Sequence, residues 1–563
     1  MTAREPRPPP PPPRPSRRRC LSALLAAPAG LLPLSAHAAA AASDAPLFDG
    51  MGDYRTPDAS PVARARRYVA QGLVLSWGFN PAEAARSFAG ALQHDSRCAA
   101  AAWGHAWCLG PTINQDMARA DEARVLEALR LARTLRPHAS PRWRSLIDAL
   151  WTRHAAGPGR PLAEEDYEQA MQHALRRHPQ DADVATLAAE ALMNLHPYDW
   201  WEPDGRPLPW TGTIVRRLQA ALAASPDHPG ANHLWVHLME TSRTPQLALR
   251  EAARLERLVP GSGHLLHMPA HIYMRVGRYA DATAANLRSI EADRRYLAQV
   301  DAQRAYRVGY VAHNHHFLWA SASMQGRRAL ALQAAGEAYA AACGPDGRDD
   351  GSGIVQHFQV LPLYARVRFG LWNEILTRTA PPDGARPYPL VVWHYARGTA
   401  ALRLRRIGEA RASLSALDAA AAELSLEDVR IKQVNAAGAL ARIARLTLAA
   451  DLAAAEGRVA EGLAGLREAV QIEDGLQVDE PHLWLAPTRH ALGDALLAAR
   501  RWGEAERVLR EDLAHYPDNG WSLAGLERAQ RAQGRAAEAV ATARRLRAAL
   551  RDADVPLTGP RLG

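Results

Sequence analysis

The chain has 563 residues, 48% of them hydrophobic, and a formal net charge of +9 at pH 7. Alanine and leucine far outnumber the β-branched residues, which favours helices and excludes a protein built mainly from sheets. Lys432 is the only lysine, so nearly all of the basic charge is arginine. Because no groove of arginines and stacked aromatic residues and no nucleic-acid motif accompanies this charge, we predict no nucleic-acid partner.

The N-terminus has the features of an export signal. Ser16-Arg17-Arg18-Arg19-Cys20-Leu21 is similar to a twin-arginine motif, an apolar run follows from Leu21 to Leu34, and Ala36-His37-Ala38 is a candidate cleavage site. Residues 1–38 carry six Arg and one Glu, so their removal leaves a net charge of about +4. We predict a signal peptide over 1–38, a flexible segment over 39–60 and a periplasmic or secreted chain. An ordinary secretory signal is the alternative, and neither leaves a membrane span after cleavage.

The remainder reads as helical repeats. Amphipathic pairs with weak repeat signals cover 61–195, and a Pro/Trp-rich insert with a following helix covers 196–228. Stronger repeats follow over 229–342, then a Gly/Asp-rich loop over 343–355, and then further repeats with a capping helix over 356–563. Ala248 and Ala282 occupy equivalent places 34 residues apart, which is the period of the tetratricopeptide repeat (TPR). We predict an all-α TPR solenoid, a right-handed superhelix of about eight to ten helix–turn–helix pairs.

A histidine pair recurs with the same period. His233 and His237 form one H-x-x-x-H, and His267 and His271 form the next one 34 residues later. Residues three or four apart share one face of a helix, so each pair points in one direction. Further polar residues lie on the same faces or on the first helix of the next repeat: His264, Glu240, His313 and His316.

The chain resembles a group of bacterial TPR proteins, exported or cytoplasmic. The resemblance rests on His264-Leu265-Leu266-His267-Met268-Pro269-Ala270-His271-Ile272-Tyr273-Met274-Arg275-Val276-Gly277-Arg278-Tyr279. Asn232-His233-Leu234-Trp235-Val236-His237, His313-Asn314-His315-His316-Phe317-Leu318, Gly78-Phe79-Asn80 and Asp518-Asn519-Gly520-Trp521-Ser522-Leu523 extend it over nearly all of the chain. The resemblance implies a TPR solenoid in which these histidines line the concave groove.

Converging imidazoles are typical of a transition-metal site. We expect His233, His237, His267 and His271 to be ligands and His264, Glu240, His313 and His316 to complete or orient the site. All-histidine ligation suits Cu or Zn, whereas two histidines with Glu240 and open positions suit Fe. Redox or hydrolytic chemistry would require such open positions. The alternative is a non-catalytic scaffold that binds a protein or peptide partner in the groove.

Overall fold

The computed structural model describes residues 45–157, 159–202, 205–301, 304–344, 351–382, 386–423, 426–432, 434–477 and 480–562. The predicted signal peptide at 1–38 and residues 39–44 of the predicted flexible segment lie outside these ranges. Where the chain is described it is almost entirely helical, with one two-stranded antiparallel ribbon formed by β1 (Arg430–Ile431) and β2 (Asn435–Ala436).

The helices follow one another as antiparallel neighbours, and each packs against the next along the chain. The first half contains α1 (Ala63–Trp77), α2 (Pro81–His94), α3 (Ala99–Cys108), α4 (Glu122–Leu135), α5 (Pro141–Arg153), α6 (Glu164–Arg177), α7 (Ala182–Leu195), α8 (Thr211–Ala224), α9 (Pro229–Glu240), α10 (Leu249–Leu258), α11 (Gly263–His267), α12 (Pro269–Arg275) and α13 (Tyr279–Leu297). The second half contains α14 (Ala312–Met324), α15 (Arg328–Cys343), α16 (Gly353–Arg368), α17 (Trp372–Arg378), α18 (Pro387–Arg403), α19 (Ile407–Glu423), α20 (Ala437–Ala455), α21 (Val459–Asp474), α22 (Thr488–Ala498), α23 (Trp502–His515), α24 (Gly520–Ala532) and α25 (Ala536–Ala549).

This arrangement confirms the predicted all-α TPR solenoid. With α11 and α12 counted as one interrupted helix, the described ranges contain twelve helical pairs, against the eight to ten predicted. The difference arises between residues 116 and 228, where the repeat signal in the sequence is weak but the helices still pair. The Pro/Trp-rich insert connects the two helices of one pair, α7 and α8.

Side-chain caps start several of the helices. Asn80, Asp181, Ser262 and Asn519 each accept a hydrogen bond from the backbone N–H three residues ahead. His228 caps α9 in the same way through its Nδ1, which lies 3.0 Å from the Ala231 amide. Such caps satisfy amides that have no partner within the helix. The starts of α9 and α11, which carry four of the clustered histidines, are therefore encoded locally.

Proline divides the central histidine helix. Helix α11 ends at His267 and α12 begins at Pro269, which has no N–H to continue the helical ladder. At the end of α12, Gly277 turns the chain with φ +77°, a conformation that costs glycine little. Residues Arg304–Tyr306 and a π-helical turn, Arg307–Val311, lead into α14.

Both ends of the described chain return to the central repeats. Residues 45–60, expected to be flexible, are instead packed: the Phe48 amide donates to Gln71, and Gly50 accepts from the Gly261 amide at 2.8 Å. From the other end, the Trp521 indole donates to the Ser323 carbonyl at 2.7 Å. The superhelix therefore closes on itself around α9 to α14. No helix in the described ranges is both long and apolar enough to cross a bilayer.

Close helix packing predicts opposite effects for two helical glycines. A Cβ at Gly104 on α3 would lie 2.3 Å from the Phe88 ring, whereas a Cβ at Gly336 on α15 would meet nothing within 4 Å. Gly104→Ala should destabilise the protein by about 1–3 kcal/mol through overpacking. Gly336→Ala should stabilise it by about 0.5–1 kcal/mol through helix propensity. Urea unfolding measures both, and equal effects would contradict this account of the repeat contact.

Candidate metal centre

The structure gathers six histidines into two groups of three. Group A consists of His233 and His237 on α9 with His264 on α11, and group B consists of His267 on α11, His271 on α12 and His313 on α14. Within each group, one nitrogen per ring lies within 4.8 Å of the others. Each group therefore combines one H-x-x-x-H pair with a histidine from the first helix of the next repeat.

The closest approaches within the groups are between ring nitrogens. His233 and His264 bring their Nε2 atoms within 3.1 Å in group A, and the Nε2 atoms of His267 and His271 are 2.9 Å apart in group B. Both groups are buried, from 0% exposure at His233 and His267 to 7% at His271, apart from the partly buried His313. The sequence predicts that these side chains line a concave groove, but the structure encloses them.

The four histidines of the repeated pairs do not form a single set. The rings of His237 and His271 are 6.2 Å apart, as centroids, and the Glu240 carboxylate lies between them. Glu240 Oε1 is 2.8 Å from His237 Nδ1, and Oε2 is 2.6 Å from His271 Nδ1. Glu240 therefore bridges the two groups.

A second carboxylate arrives from a remote part of the chain. Glu480, in the segment between α21 and α22, places Oε2 3.0 Å from His271 Nδ1. Its carbonyl oxygen accepts a hydrogen bond from Lys432 Nζ at 3.0 Å. Glu240, His271 and Glu480 form a third set of atoms close enough together to hold an ion. Glu480 is absent from the predicted ligands, because no local sequence pattern distinguishes it.

Several of the rings have a polar partner at Nδ1, so that their Nε2 atoms point into the groups. His267 Nδ1 is 2.7 Å from the Asn286 amide oxygen, and Glu240 holds the Nδ1 atoms of His237 and His271. Among the described residues, His237 Nε2 has no hydrogen-bond partner although it is buried. A carboxylate or amide that accepts Nδ1–H is the usual way for proteins to orient an imidazole whose Nε2 binds a metal.

An aromatic ring covers each group. Phe79 lies 4.7, 5.6 and 5.2 Å from the rings of His233, His237 and His264, and Phe317 lies 4.4 to 4.9 Å from the three rings of group B. The backbone of Phe79 has φ +54°, an uncommon conformation for a bulky residue. Gly78-Phe79-Asn80 belongs to the resemblance seen in the sequence, but only the structure gives Phe79 this place.

Two tyrosines also border group A. Tyr310, from the π-helical turn, packs against His264 with ring centroids 4.9 Å apart. Tyr198, from the Pro/Trp-rich insert, places its hydroxyl 2.6 Å from the Asn114 side chain and 3.5 Å from His237 Nδ1. The Pro/Trp-rich insert and the π-helical turn therefore contribute to the walls of group A.

His316 lies apart from both groups. It is fully buried, its ring is 5.1 Å from that of His357, and neither of its nitrogens has a hydrogen-bond partner among the described residues. His357 in turn contacts the Tyr388 hydroxyl at 3.2 Å. Of the eight residues expected at the site, the structure brings together His233, His237, Glu240, His264, His267, His271 and His313.

Burial determines the charge of most of these rings. It lowers the pKa of His233, His264, His267 and His313 well below the ordinary 6.5, and neighbouring imidazoles or, at His313, Lys432 lower it further. Burial also lowers the pKa of His271, but Glu240 and Glu480 outweigh it and raise that pKa to about 9. Although burial disfavours ionised Glu240, His271 and His237 hold its pKa below the ordinary value. The centre thus combines four imidazoles whose pKa is lowered with one, His271, whose pKa is raised.

No protein-family model matches the chain, and no curated protein matches it. Solved structures do match. A human IFIT1 dimer with PPP-AAAA is 12% identical, with 87% of this chain and 92% of that chain covered and a TM-score of 0.31. The TPR domain of P58(IPK) is 10% identical, with 84% and 99% covered and a TM-score of 0.22. The APC/C hetero-tetramer Cut9-Hcn1 is 14% identical, with 87% and 88% covered and a TM-score of 0.26.

The raised pKa of His271 predicts a pH dependence of the metal-free protein. Because an unfolded histidine titrates near 6.5, protonated His271 stabilises the fold fully below pH 6.5, and this contribution is lost as the pH rises through about 9. The free energy of unfolding attributable to His271 should fall by up to about 3 kcal/mol over this range. Urea unfolding in chelator at pH 6 and pH 9.5 measures it.

His271→Gln should remove this extra pH dependence. His316→Gln is the matched control and should retain it, because burial keeps the His316 pKa well below 6.5 and that ring stays neutral throughout. Identical pH profiles for the wild type and His271→Gln would show that the carboxylates do not hold His271 in its charged form.

Proposed function

We propose that this chain is an exported TPR metalloprotein in which groups A and B each hold one transition-metal ion. The observation that carries the proposal is the recurrence of a buried three-histidine set, built twice from equivalent positions of successive repeats. Structural zinc sites have four protein ligands, whereas catalytic sites commonly have three and leave a position open. A set of three imidazoles corresponds to a catalytic site with one open position.

The donor atoms fit a metal ion. Two nitrogens that each lie about 2.1 Å from a tetrahedral ion are about 3.4 Å apart. The Nε2 separations of 3.1 Å in group A and 2.9 Å in group B are close to that spacing. Without an ion, burying so many imidazoles beside one another is unfavourable unless their nitrogens are hydrogen-bonded. An ion at each group would give a partner to nitrogens such as His237 Nε2.

The donor types restrict the metal. Group A offers three imidazoles, which suit Cu or Zn. Glu240 lies beside both groups, whereas Glu480 lies beside group B alone, and with these two carboxylates Fe also fits group B. A bound ion with an open position supplies Lewis-acid activation of water or redox chemistry. The chain itself orients the rings through Glu240 and Asn286 and covers the two groups with Phe79 and Phe317.

Metal analysis tests the proposal. Untagged wild-type protein reconstituted with Cu, Zn or Fe should carry two ions per chain. His233→Gln/His264→Gln should lose the ion of group A, and His267→Gln/His313→Gln should lose that of group B, so each retains about one. His316→Gln, a buried histidine outside both groups, should retain two.

Inductively coupled plasma mass spectrometry gives the stoichiometry, and circular dichroism verifies that each variant is folded. Less than stoichiometric metal in the wild type after reconstitution with all three metals would overturn the proposal. The non-catalytic scaffold with a protein or peptide partner would then be the better account. In that case the double variants would keep their thermal stability in the presence of metal and of chelator alike.

We also propose that residues 1–38 direct export by the twin-arginine route, supported by the motif at Arg17-Arg18 and by Ala36-His37-Ala38. Arg17→Lys/Arg18→Lys should abolish export, whereas Arg4→Lys/Arg7→Lys should not. Fractionation of the expressing bacteria with N-terminal sequencing checks this, and the mature chain should begin at Ala39. Undiminished export of the Arg17/Arg18 variant would favour the general secretory route.

A further inference from the structure

The segment after the last helix crosses the face of the C-terminal repeats. Residues 551–562, here termed the tail, lie next to α24, where Pro560 would be 2.4 Å from a Cβ at Gly525. The tail also reaches the turn after α16, where Leu562 would be 3.5 Å from a Cβ at Gly370. It therefore fills space between the first helices of several pairs.

An arginine of the tail enters a pocket that holds two carboxylates, Asp451 and Asp494, and one further arginine, Arg403, 3.9 Å from Asp451. The Arg561 guanidinium donates to both carboxylate oxygens of Asp451 on α20, at 3.0 and 2.5 Å. Both side chains are largely buried, with 15% and 18% of their surfaces exposed. Asp494 on α22 and Tyr395 on α18 also interact electrostatically with this guanidinium. Bidentate arginine–carboxylate pairs of this kind give geometric specificity as well as energy.

Two further residues hold the tail. Leu557 is 6% exposed and lies in the main hydrophobic core, against Gly326 and Gly520. Asp554 accepts hydrogen bonds from the amides of Arg328 and Ala329 at 2.6 and 2.8 Å. Three side chains of the tail thus contact three separate parts of the repeats. They are the Asp554 carboxylate, Leu557 three residues later and Arg561 four residues after that.

We propose that this face, the tail groove formed by Gly326, Gly520, Gly525, Tyr395, Asp451 and Asp494, is a binding site for an extended peptide that carries a leucine and, four residues later, an arginine. The tail is its intramolecular occupant, and a partner segment with the same chemistry competes with it. The site is distinct from the histidine groups and does not depend on the proposed metal function. A peptide-binding activity would therefore be located at this groove, away from the enclosed imidazoles.

Competition between the tail and a free peptide tests this. The probe is a fluorescein-labelled peptide of residues 551–562, added to full-length protein in chelator. The wild type should bind it weakly, because its own tail competes at a millimolar effective concentration. Full-length Arg561→Gln, whose tail has lost its ion pair, should bind it at least about 10-fold more tightly. Arg551→Gln, at an exposed arginine of the same tail, should behave like the wild type.

Two controls assign the recognition to the arginine pocket. Adding Asp451→Asn to Arg561→Gln should weaken peptide binding at least about 10-fold, and a peptide with Arg561→Gln should bind comparably weakly to the Arg561→Gln chain. Fluorescence anisotropy gives the affinities, and circular dichroism verifies the fold. A folded Arg561→Gln chain that binds the native peptide no better than the wild type would overturn the proposal.

If Arg561→Gln does not fold, amide hydrogen exchange of the wild-type protein tests the proposal instead. Excess unlabelled peptide should accelerate exchange of the amides of residues 551–562 while leaving the amides of α9 and α14 unchanged. Tail amides whose exchange is unaffected by millimolar peptide would show that the tail is a permanent part of the core, and the proposal would be wrong.

Discussion

The contact of the Glu240 carboxylate with two imidazoles is the interaction on which the centre of this structure depends. A buried carboxylate costs several kcal/mol unless it is paired and hydrogen-bonded, and Glu240 meets this requirement through His237 and His271. The same contact joins α9 to α12 and thereby links successive repeats. Most other contacts between repeats are made by small apolar residues, whereas the contact between α9 and α12 is made by a carboxylate and two imidazoles.

The surroundings of Glu240 follow from that constraint. Phe79 and Phe317 cover the two histidine groups, and apolar walls keep most of the imidazoles neutral because the charged form of a ring is disfavoured there. His271 is the exception, because Glu480 arrives as a second carboxylate. Both groups contact Glu240, but only group B also contacts Glu480, so two groups with similar residue types have different electrostatics.

The closure of the superhelix explains how such an interior is possible in a repeat protein. In an open solenoid, each repeat contacts only its neighbours. Here the segment before α1 reaches Gly261, α24 reaches Ser323, and the tail reaches the turn at Gly326. These returns enclose the central repeats, and they separate the enclosed histidine groups from the face that the tail occupies.

Much of the fold could be predicted from the sequence, because helix periodicity, caps such as Asn80 and the 34-residue spacing are local properties. The same spacing indicated that His233, His237, His267 and His271 belong to equivalent places in adjacent repeats. The number of helical pairs between residues 116 and 228 could not be predicted, because these helices have few of the residues typical of TPR positions and their pairing depends on packing.

The sequence by itself determined the helices, the repeat architecture and the histidines that face one side of α9, α11 and α12. Only the tertiary structure decided that these histidines divide into two groups, that His313 joins one of them while His316 faces His357, and that Glu480 joins His271 across 209 residues of sequence. The physical reason is that helical periodicity specifies direction within one helix. The distance between side chains of remote segments depends on how the whole superhelix closes.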